Sequence, residues 1–348
     1  MSNKLIKKWE DIKELFPKWD NVLIGNGFST NIWDDYAYKS LRQESAKRKI
    51  EPVLTDEILQ IFEAFSTDNY EEILKAVTVT SIVQKSLGHI DQLENLNKIY
   101  ESVRKNLFNT VYAVHVPFDH LDKEAIAKEL TRFRKVFTTC YDLIPYWSVW
   151  NSSYKDRMID FLWDNNHFDI TRTENFYPST TTAFYYLHGA LHLRKKLAGR
   201  VNKVRRSLVE LPDADDFKYC ENETIFPLFI SEGSGKAKKE VIERDNYLGF
   251  CYKELSIIKD NLLIIGHSLD EIYDEHLLEA ICKNCHLKRI AVSIYFKNEN
   301  DDNDILAEKI KIRLPKGVDI YFFDAKTHPL LNPKLKAKKQ TETVKVQA

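Results

Sequence analysis

Short apolar runs alternate with helical patterns along most of the chain. The run Asn21–Ile24 leads directly into glycine, which is typical of a buried strand that ends in a turn. Further apolar runs predict strands at Val136–Thr139, Ala183–Leu187, Ile225–Ile230, Leu262–Ile265, Ile290–Phe296 and Val318–Phe323. Helical periodicity separates several of them, at 272–285 and 304–313. This alternation predicts an α/β fold, a Rossmann-like, mostly parallel sheet with helices on both faces.

The pattern between residues 43 and 135 is helical throughout. Ile58, Ile61, Phe62 and Phe65 recur at helical spacing after Thr55, a candidate N-cap. Because no strand or turn signal interrupts this stretch, we interpret 43–135 as a helical module inserted into a Rossmann-like domain. That domain is formed by residues 1–42 and 136–330, and residues 331–348 are predicted to be a polar tail.

Composition excludes several classes of protein. The 348 residues carry 51 basic and 52 acidic side chains, with 43% hydrophobic residues, as in an ordinary globular chain. This excludes a disordered chain and a generally basic nucleic-acid binder. The longest apolar runs are strand-sized, and the first residues lack the apolar core of a signal peptide. Five cysteines, an odd number, indicate reduced thiols, so we expect a cytoplasmic protein without a membrane partner.

Glycine is scarce and is concentrated in short motifs next to the predicted strands. The chain has only 10 glycines, whereas about 7% of a typical sequence is glycine. Gly25-Asn-Gly-Phe-Ser29, with Asn31 beyond it, can form a phosphate cradle at the start of a helix. A tight turn with a capping serine explains the same residues. Since ligands bind at the carboxyl ends of parallel strands, these motifs predict a nucleotide-sized site.

Two later motifs also follow predicted strands. His188 precedes Gly189 and can transfer protons near neutral pH, or can be a hydrogen-bonded structural histidine. Its neighbour His192 has no carboxylate or cysteine at metal-ligand spacing, so a metal pair is disfavoured. Gly266-His-Ser268 can hold a ribose or phosphate, or Ser268 can simply cap the next helix.

Three other signals favour structural interpretations. Gly233-Ser-Gly-Lys236 lacks the first glycine of a Walker A loop. Cys282 and Cys285 form a single CxxC on the apolar side of a helix, which predicts core packing. The basic run Arg194–Arg206 predicts a solvated helix face, with a phosphate- or partner-binding patch as the alternative.

Taken together, the motifs resemble the bacterial sirtuin-like proteins of the Sir-two superfamily, in particular a branch found in anti-phage defence. The resemblance covers about residues 20–325 and depends on blocks that occur in the family's order: Gly25–Ser29, Thr138–Asp142 with Tyr146-Trp147, Tyr186–His192, Ser231–Gly233 with Asp245, and Gly266–Leu269 with Asp274 and His276. It implies a Rossmann-like domain that binds NAD. Eukaryotic-type sirtuins hold zinc with two CxxC pairs that this chain lacks, so we expect neither zinc nor deacetylation.

The resemblance also implies residue roles. His188 matches the catalytic histidine, which orients the nicotinamide ribose and acts as a base. Cys140 stands where the family has asparagine, and Asp142 follows it, so these two complete the predicted catalytic set. A thiol is a weak hydrogen-bond partner for a ribose or a water. The predicted NAD contacts are Gly25, Asn26, Gly27, Phe28, Ser29, Asn31, Gly266, His267 and Ser268.

The resemblance implies an NAD glycohydrolase effector that produces nicotinamide and ADP-ribose in anti-phage defence, with NAD as substrate and no metal. Such an activity is toxic, so we expect gating by homo-oligomerisation and by a HerA/FtsK-type hexameric ATPase. Cys140 favours an alternative, a regulatory subunit that binds NAD or ADP-ribose without cleaving it. A DNA-processing subunit is a second alternative, based on the basic run, but the near-zero net charge counts against it.

Overall fold

The structure is a computed structural model of the whole chain. The residues described below are 5–37, 40–162, 167–173, 180–196, 199–204, 209–212, 225–230, 234–296 and 303–337.

Strands and helices alternate through most of the described residues. The strands are β1 (Ile6–Lys7), β2 (Asn21–Ile24), β3 (Lys135–Thr138), β4 (Met158–Ile159), β5 (Thr182–Tyr186), β6 (Gly189–Lys196), β7 (Val201–Lys203), β8 (Ile225–Phe229), β9 (Asp260–Ile265), β10 (Leu287–Ile294) and β11 (Asp319–Asp324). The helices are α1 (Trp9–Leu15), α2 (Asn26–Ile32), α3 (Leu41–Arg48), α4 (Asp56–Ala64), α5 (Tyr70–Ser86), α6 (Leu93–Val114), α7 (Lys123–Leu130), α8 (Ile144–Trp150), α9 (Gly235–Glu243), α10 (Asn246–Ser256), α11 (Glu275–Cys282) and α12 (Asn303–Arg313).

Eight strands form one sheet in the order β1-β11-β10-β9-β2-β3-β5-β4, and every adjacent pair is parallel. All residues of β2 and β5 are buried, as are the last five of β9. Because successive side chains point to opposite faces of a sheet, this burial shows that both faces are covered. The Rossmann-like α/β fold predicted from the alternating pattern is confirmed.

The strand order reverses at β2, which is the topological switch point of the sheet. From β2 the chain adds β3 on one side, while β9 lies on the other side. Such a switch point leaves a crevice at the carboxyl ends of the strands, where ligands of doubly wound sheets bind. The loops that leave β2 and β9 therefore meet at this crevice.

A second sheet holds β7, β6 and β8 in that order, with antiparallel pairing. The prediction of a helix for Arg194–Arg206 is wrong, because the described part of this run forms β6 and β7. Two basic side chains of this run form ion pairs. Lys195 pairs with Asp245 at 2.6 Å, and Lys203 pairs with Asp160 at 2.8 Å. The apolar run at 225–230 pairs with β6 in this second sheet and not with the parallel one.

Helices α3 to α7 lie between β2 and β3, in the stretch predicted to be helical. Thr55 caps α4, since its hydroxyl oxygen accepts a hydrogen bond from the Ile58 N–H. Buried residues such as Phe62 and Phe108 join this stretch to the same hydrophobic core as the sheet. The domain boundaries themselves stay a prediction.

The chain remains packed beyond the last strand. Leu331 is buried, and the Ala337 N–H donates to the carbonyl of Ile32 at 2.8 Å. The first residues of the predicted tail are therefore part of the packed structure, while 338–348 lie outside the described residues. None of the described helices combines the length and apolar composition required to cross a membrane.

Candidate functional site

The loops after β2 and β9 are packed directly against each other. The Gly27 N–H donates to the Gly266 carbonyl at 2.8 Å, and the Gly25 N–H donates to the Ile265 carbonyl at 2.9 Å. A Cβ on Gly27 would lie 2.8 Å from the Gly266 Cα, and Gly266 itself has a φ of +61°. Glycine is therefore required here by the contact between the two loops. The sequence interpretation considered only approach to a phosphate, and this contact is an additional constraint.

A first cleft of about 340 Å³ opens on one side of this contact. Most of its lining comes from the carboxyl ends of β2, β3, β5 and β9, and α9 closes it. The lining residues are Asn26, Gly27, Tyr36, Thr139, Cys140, Tyr141, Asp142, His188, Ile230, Lys238, Gly266, His267, Ser268 and Asp274. The structure thus brings the predicted catalytic residues together with part of both glycine motifs.

A second cleft of about 550 Å³ opens on the other side, toward β10 and β11. It shares Gly27, Gly266, His267 and Ser268 with the first cleft, so the glycine contact forms a waist between them. Its other lining residues are more apolar and include Ile294, Tyr295, Leu306, Ile310, Leu331 and Pro333. Two clefts joined at a waist match the shape of a dinucleotide, in which two nucleosides flank a pyrophosphate.

Asp142 is buried at the wall of the first cleft, with 3% of its surface exposed. Its carboxylate accepts hydrogen bonds from the Ser29 hydroxyl at 2.5 Å and from the Ile144 N–H at 2.9 Å. Burial raises the pKa of Asp142 to about 6, although both hydrogen bonds oppose that shift. A carboxylate with such a pKa can accept a proton near neutral pH.

Cys140 lies beside Asp142 and is equally buried. Burial, and then the nearby charge of Asp142, raise the pKa of its thiol to about 12. The side chain is therefore a neutral thiol, which excludes a thiolate nucleophile at neutral pH. It contributes only weak hydrogen bonding to the cleft.

His188 is placed in the cleft by the turn from β5 into β6. The next residue, Gly189, has a φ of +71°, and a Cβ there would lie 2.1 Å from the Leu228 carbonyl oxygen. The His188 Nε2 atom lies 2.8 Å from the Nε2 atom of His276, at the start of α11. Burial, followed by the proximity of His276 and Lys238, holds the pKa of His188 well below its usual value. The ring is therefore neutral at neutral pH.

The β9–α11 loop is held in shape by Asp274. Its Oδ2 accepts hydrogen bonds from the Ser268 hydroxyl at 3.1 Å and from the Asp270 N–H at 2.9 Å. The His267 Nδ1 accepts from the Leu269 N–H at 3.1 Å, so the proton of the neutral ring is on Nε2. Burial lowers the pKa of His267.

Lys238 is a cleft residue that the sequence interpretation missed. It lies on α9, is 9% exposed, and donates to the Tyr273 carbonyl at 3.1 Å. Its positive charge contributes to the lowered pKa values of His188, His267 and His276. The signal in the sequence is its place two residues after Gly233-Ser-Gly-Lys236, a glycine motif that lacks the first glycine of a Walker A loop.

The predicted NAD contacts divide into two groups. Asn26 lines the first cleft and Asn31 the second. Phe28 and Ser29 are fully buried, Phe28 in the hydrophobic core and Ser29 against Asp142. Both side chains are therefore shielded from the clefts, and the role assigned to each residue stays a prediction.

The remaining motifs lie away from the clefts. His192 is fully buried, and its ring stacks on Tyr146 with centroids 4.0 Å apart. Cys282 and Cys285 are exposed, so the prediction that they pack in the core is wrong; Asn284 occupies the buried position between them. Within the described ranges, no group of three or more His, Cys, Asp or Glu side chains is arranged to hold a metal ion.

Of the sirtuin-like block Ser231–Gly233 with Asp245, the structure describes only Asp245. Ser231–Gly233 lies outside the described residues. Ser234 caps α9, since its hydroxyl oxygen accepts from the Ala237 N–H. Asp245 caps α10 through the N–H groups of Tyr247 and Leu248. Both residues have structural roles at helix starts.

Comparisons with known proteins give one family and several distant structural likenesses. A search of curated proteins finds no match. Solved structures that match include a sirtuin studied for substrate affinity, at 12% identity and a TM-score of 0.38, with 92% of this chain and 94% of that chain covered. Another is a mutant Sir2 homologue in complex with ADP-ribose, at 10% identity and a TM-score of 0.37, with 88% and 96% covered. Because these TM-scores are below 0.5, we draw no function from the matches.

The family comparison covers most of the chain. The match extends over residues 22–330, from β2 past β11, and so includes every described residue that lines the first cleft. On this match, the chain belongs to the DUF4917 family, a domain of unknown function.

Proposed function

We propose that this chain binds NAD across the two clefts and hydrolyses it to nicotinamide and ADP-ribose. The observation that carries the proposal is the pair of clefts joined at the Gly27–Gly266 waist, with His188 and Asp142 on one side only. The first cleft holds ionisable side chains that can take part in a reaction, and the second is more apolar. This difference fits a substrate that reacts at one nucleoside and is anchored by the other. The motif resemblance to sirtuin-like proteins supports the same assignment.

The position of Lys238 suggests how the substrate lies. Lys238 lines the first cleft, as do the waist residues Gly27 and Gly266. A pyrophosphate at the waist would gain a charge-assisted hydrogen bond from this side chain. The nicotinamide ribose then lies toward His188 and Asp142, and the adenosine lies in the second cleft toward Tyr295.

Hydrolysis breaks the bond between the ribose C1′ and the nicotinamide nitrogen. The nitrogen keeps the bonding electron pair and leaves as neutral nicotinamide, so positive charge develops on the ribose in an oxocarbenium-like transition state. The Asp142 carboxylate can stabilise this charge and take the proton of the attacking water, whose oxygen bonds to C1′. His188 holds the ribose hydroxyls in place.

The test uses purified chain with NAD and separates cleavage from binding. We expect nicotinamide and ADP-ribose in equal amounts. Lys238→Met should weaken ADP-ribose binding by about 10–100-fold, the usual range for a hydrogen bond to a charged group. Lys236→Met is the matched control, because Lys236 lies on the same helix and is exposed. Equal affinity in both variants would contradict the placement of the pyrophosphate.

The neutral thiol of Cys140 favours a second candidate function, nucleotide binding without cleavage. A thiol with a pKa of about 12 is a poor substitute for the amide of asparagine. If the wild-type chain binds ADP-ribose but releases no nicotinamide, Cys140→Asn decides between the two functions. Gain of nicotinamide release would identify a degenerate hydrolase, and continued inactivity would support a binding subunit.

The resemblance alone supports the defence role, the HerA/FtsK-type ATPase partner and the homo-oligomer. These proposals are tested by co-expressing and co-purifying the chain with a HerA/FtsK-type ATPase, and by comparing NAD cleavage by the chain alone with cleavage by the complex. A complex that forms and raises the rate would support gating. Equal rates would contradict it.

A further inference from the structure

His276 contacts His188, the predicted catalytic histidine, and the proposed function gives His276 no role. We infer that His276 is a positioning residue that donates a hydrogen bond from Nε2 to the Nε2 atom of His188, so that His188 presents Nδ1–H to the bound ribose as a donor. The inference rests on the proposed function, because it names how His188 acts in that site. It assigns the role of base to Asp142 alone.

The two imidazole rings lie within hydrogen-bond distance of each other. The two Nε2 atoms lie 2.8 Å apart, which is a hydrogen-bond distance, and the ring centroids lie 5.0 Å apart with planes 29° from parallel. Two neutral imidazoles at this distance must share one proton between these nitrogens, one as donor and the other as acceptor. Since the His188 Nε2 is occupied, Nδ1 is the ring nitrogen left for a ligand in the cleft.

The other nitrogen of His276 fixes the direction of this hydrogen bond. The His276 Nδ1 atom is buried and has no hydrogen-bond partner among the described residues. If the proton were on that nitrogen, a buried N–H group would be unsatisfied, and buried N–H groups without partners are rare in proteins. The proton is therefore on the His276 Nε2, which donates to His188. His188 must then have its own proton on Nδ1.

The surroundings of the pair keep both rings neutral. Burial lowers the pKa of His276 to about 3, and the charge of Lys238 on α9 acts in the same direction. The other ionisable groups that act on His276 are His267, which lowers its pKa, and Asp274 and Glu279, which raise it. A hydrogen bond from α10 fixes the start of α11. The Tyr252 hydroxyl on α10 donates to the His276 carbonyl at 2.8 Å.

The experiment is nitrogen NMR of the ring nitrogens at neutral pH, with His188 and His276 assigned by substitution. We expect the signal of a protonated nitrogen for His188 Nδ1 and for His276 Nε2, and that of an unprotonated nitrogen for His188 Nε2. A protonated His188 Nε2 would overturn the inference. This readout requires no turnover, so it decides on the pair even if NAD cleavage is absent and the proposed function fails.

Kinetics of two variants provide the second readout. His276→Gln keeps an amide donor near the position of Nε2 and should keep kcat within about threefold, whereas His276→Leu removes the donor. We expect His276→Leu to lower kcat by about 10–100-fold, because a displaced His188 ring no longer orients the ribose. His328→Gln is the control, since it alters a buried histidine outside both clefts. Equal kcat in the wild type and His276→Leu would overturn the positioning role, as would equal losses in the Gln and Leu variants.

Discussion

Replacing Asp142 by asparagine should make the protein more stable and inactive at neutral pH. The carboxylate is 3% exposed, and burial raises its pKa from 3.8 to about 6. At pH 7 the native state therefore holds an ionised group that burial disfavours. Asparagine has nearly the same shape and no charge, and its amide can still bond to the Ser29 hydroxyl and the Ile144 N–H.

The magnitude follows from the pKa difference between the folded and unfolded states. A rise from 3.8 to about 6 is about two units, and each unit corresponds to about 1.4 kcal/mol, so ionised Asp142 lowers the free energy of unfolding by about 3 kcal/mol. A less suitable hydrogen bond in the variant offsets about 1 kcal/mol of this. We therefore expect Asp142→Asn to raise the free energy of unfolding by about 2 kcal/mol at pH 7.

The sign of the pH dependence is fixed by linkage. A carboxyl group with a raised folded-state pKa contributes its full stability below pH 3.8 and loses it as the pH rises to about 6. Asp142→Asn should therefore be about 1 kcal/mol less stable than the wild type near pH 4, because only the poorer hydrogen bond acts there. Its relative stability should rise between pH 4 and 6 and stay constant above that. Urea unfolding of both proteins across this range measures the difference, in which the titration of all other groups cancels.

The control is Asp169→Asn. Asp169 is half-buried, and the hydroxyl and N–H of Thr171 lower the pKa of its carboxyl, so this substitution should not stabilise the protein at pH 7. A difference between Asp142→Asn and wild type that does not change with pH would refute the raised pKa. Full NAD cleavage by Asp142→Asn would refute the assignment of Asp142 as the base.

Three further predictions concern other residues. His188→Ala should lower NAD turnover by about 10²-fold, because the ribose hydroxyls lose the side chain that orients them, whereas His192→Ala should mainly lower the free energy of unfolding, because His192 stacks in the core; nicotinamide release and urea unfolding measure the two effects. Gly27→Ala should lower the melting temperature, because its Cβ would meet the Gly266 backbone, while Gly249→Ala on α10 should not. Native protein should lose one accessible thiol on Cys285→Ser substitution, because Cys285 is exposed; an unchanged titration with a thiol reagent would contradict this.

Hydrophobic periodicity was sufficient to predict the interior strands of the parallel sheet. The runs that became β2, β3, β9 and β10 are apolar at consecutive positions because both faces of these strands are covered. β1 and β4 were missed, because a strand of two residues is too short to show a period. Such strands form only because a neighbouring strand offers a free edge for pairing.

The basic run shows where local pattern misleads. Many basic residues in the run Arg194–Arg206 suggested a solvated helix face, but β6 pairs with β8, and Lys195 and Lys203 have carboxylate partners distant in the sequence. The same limit applied to Cys282, which was expected on the core side of α11 and is exposed. Propensity and pattern within a segment do not identify which surface another segment will cover.

The amino-acid sequence alone determined the alternating α/β plan, the glycine motifs at strand ends and the candidacy of His188, because these depend on residue type and short-range order. Only the tertiary structure decided that Gly27 packs against Gly266, that Lys238 enters the cleft and that His188 pairs with His276, 88 residues further along the chain. The pKa of Asp142 likewise follows from burial beside Ser29, 113 residues away. Such properties depend on distances between segments that are remote in sequence, and the packing of the whole sheet sets those distances.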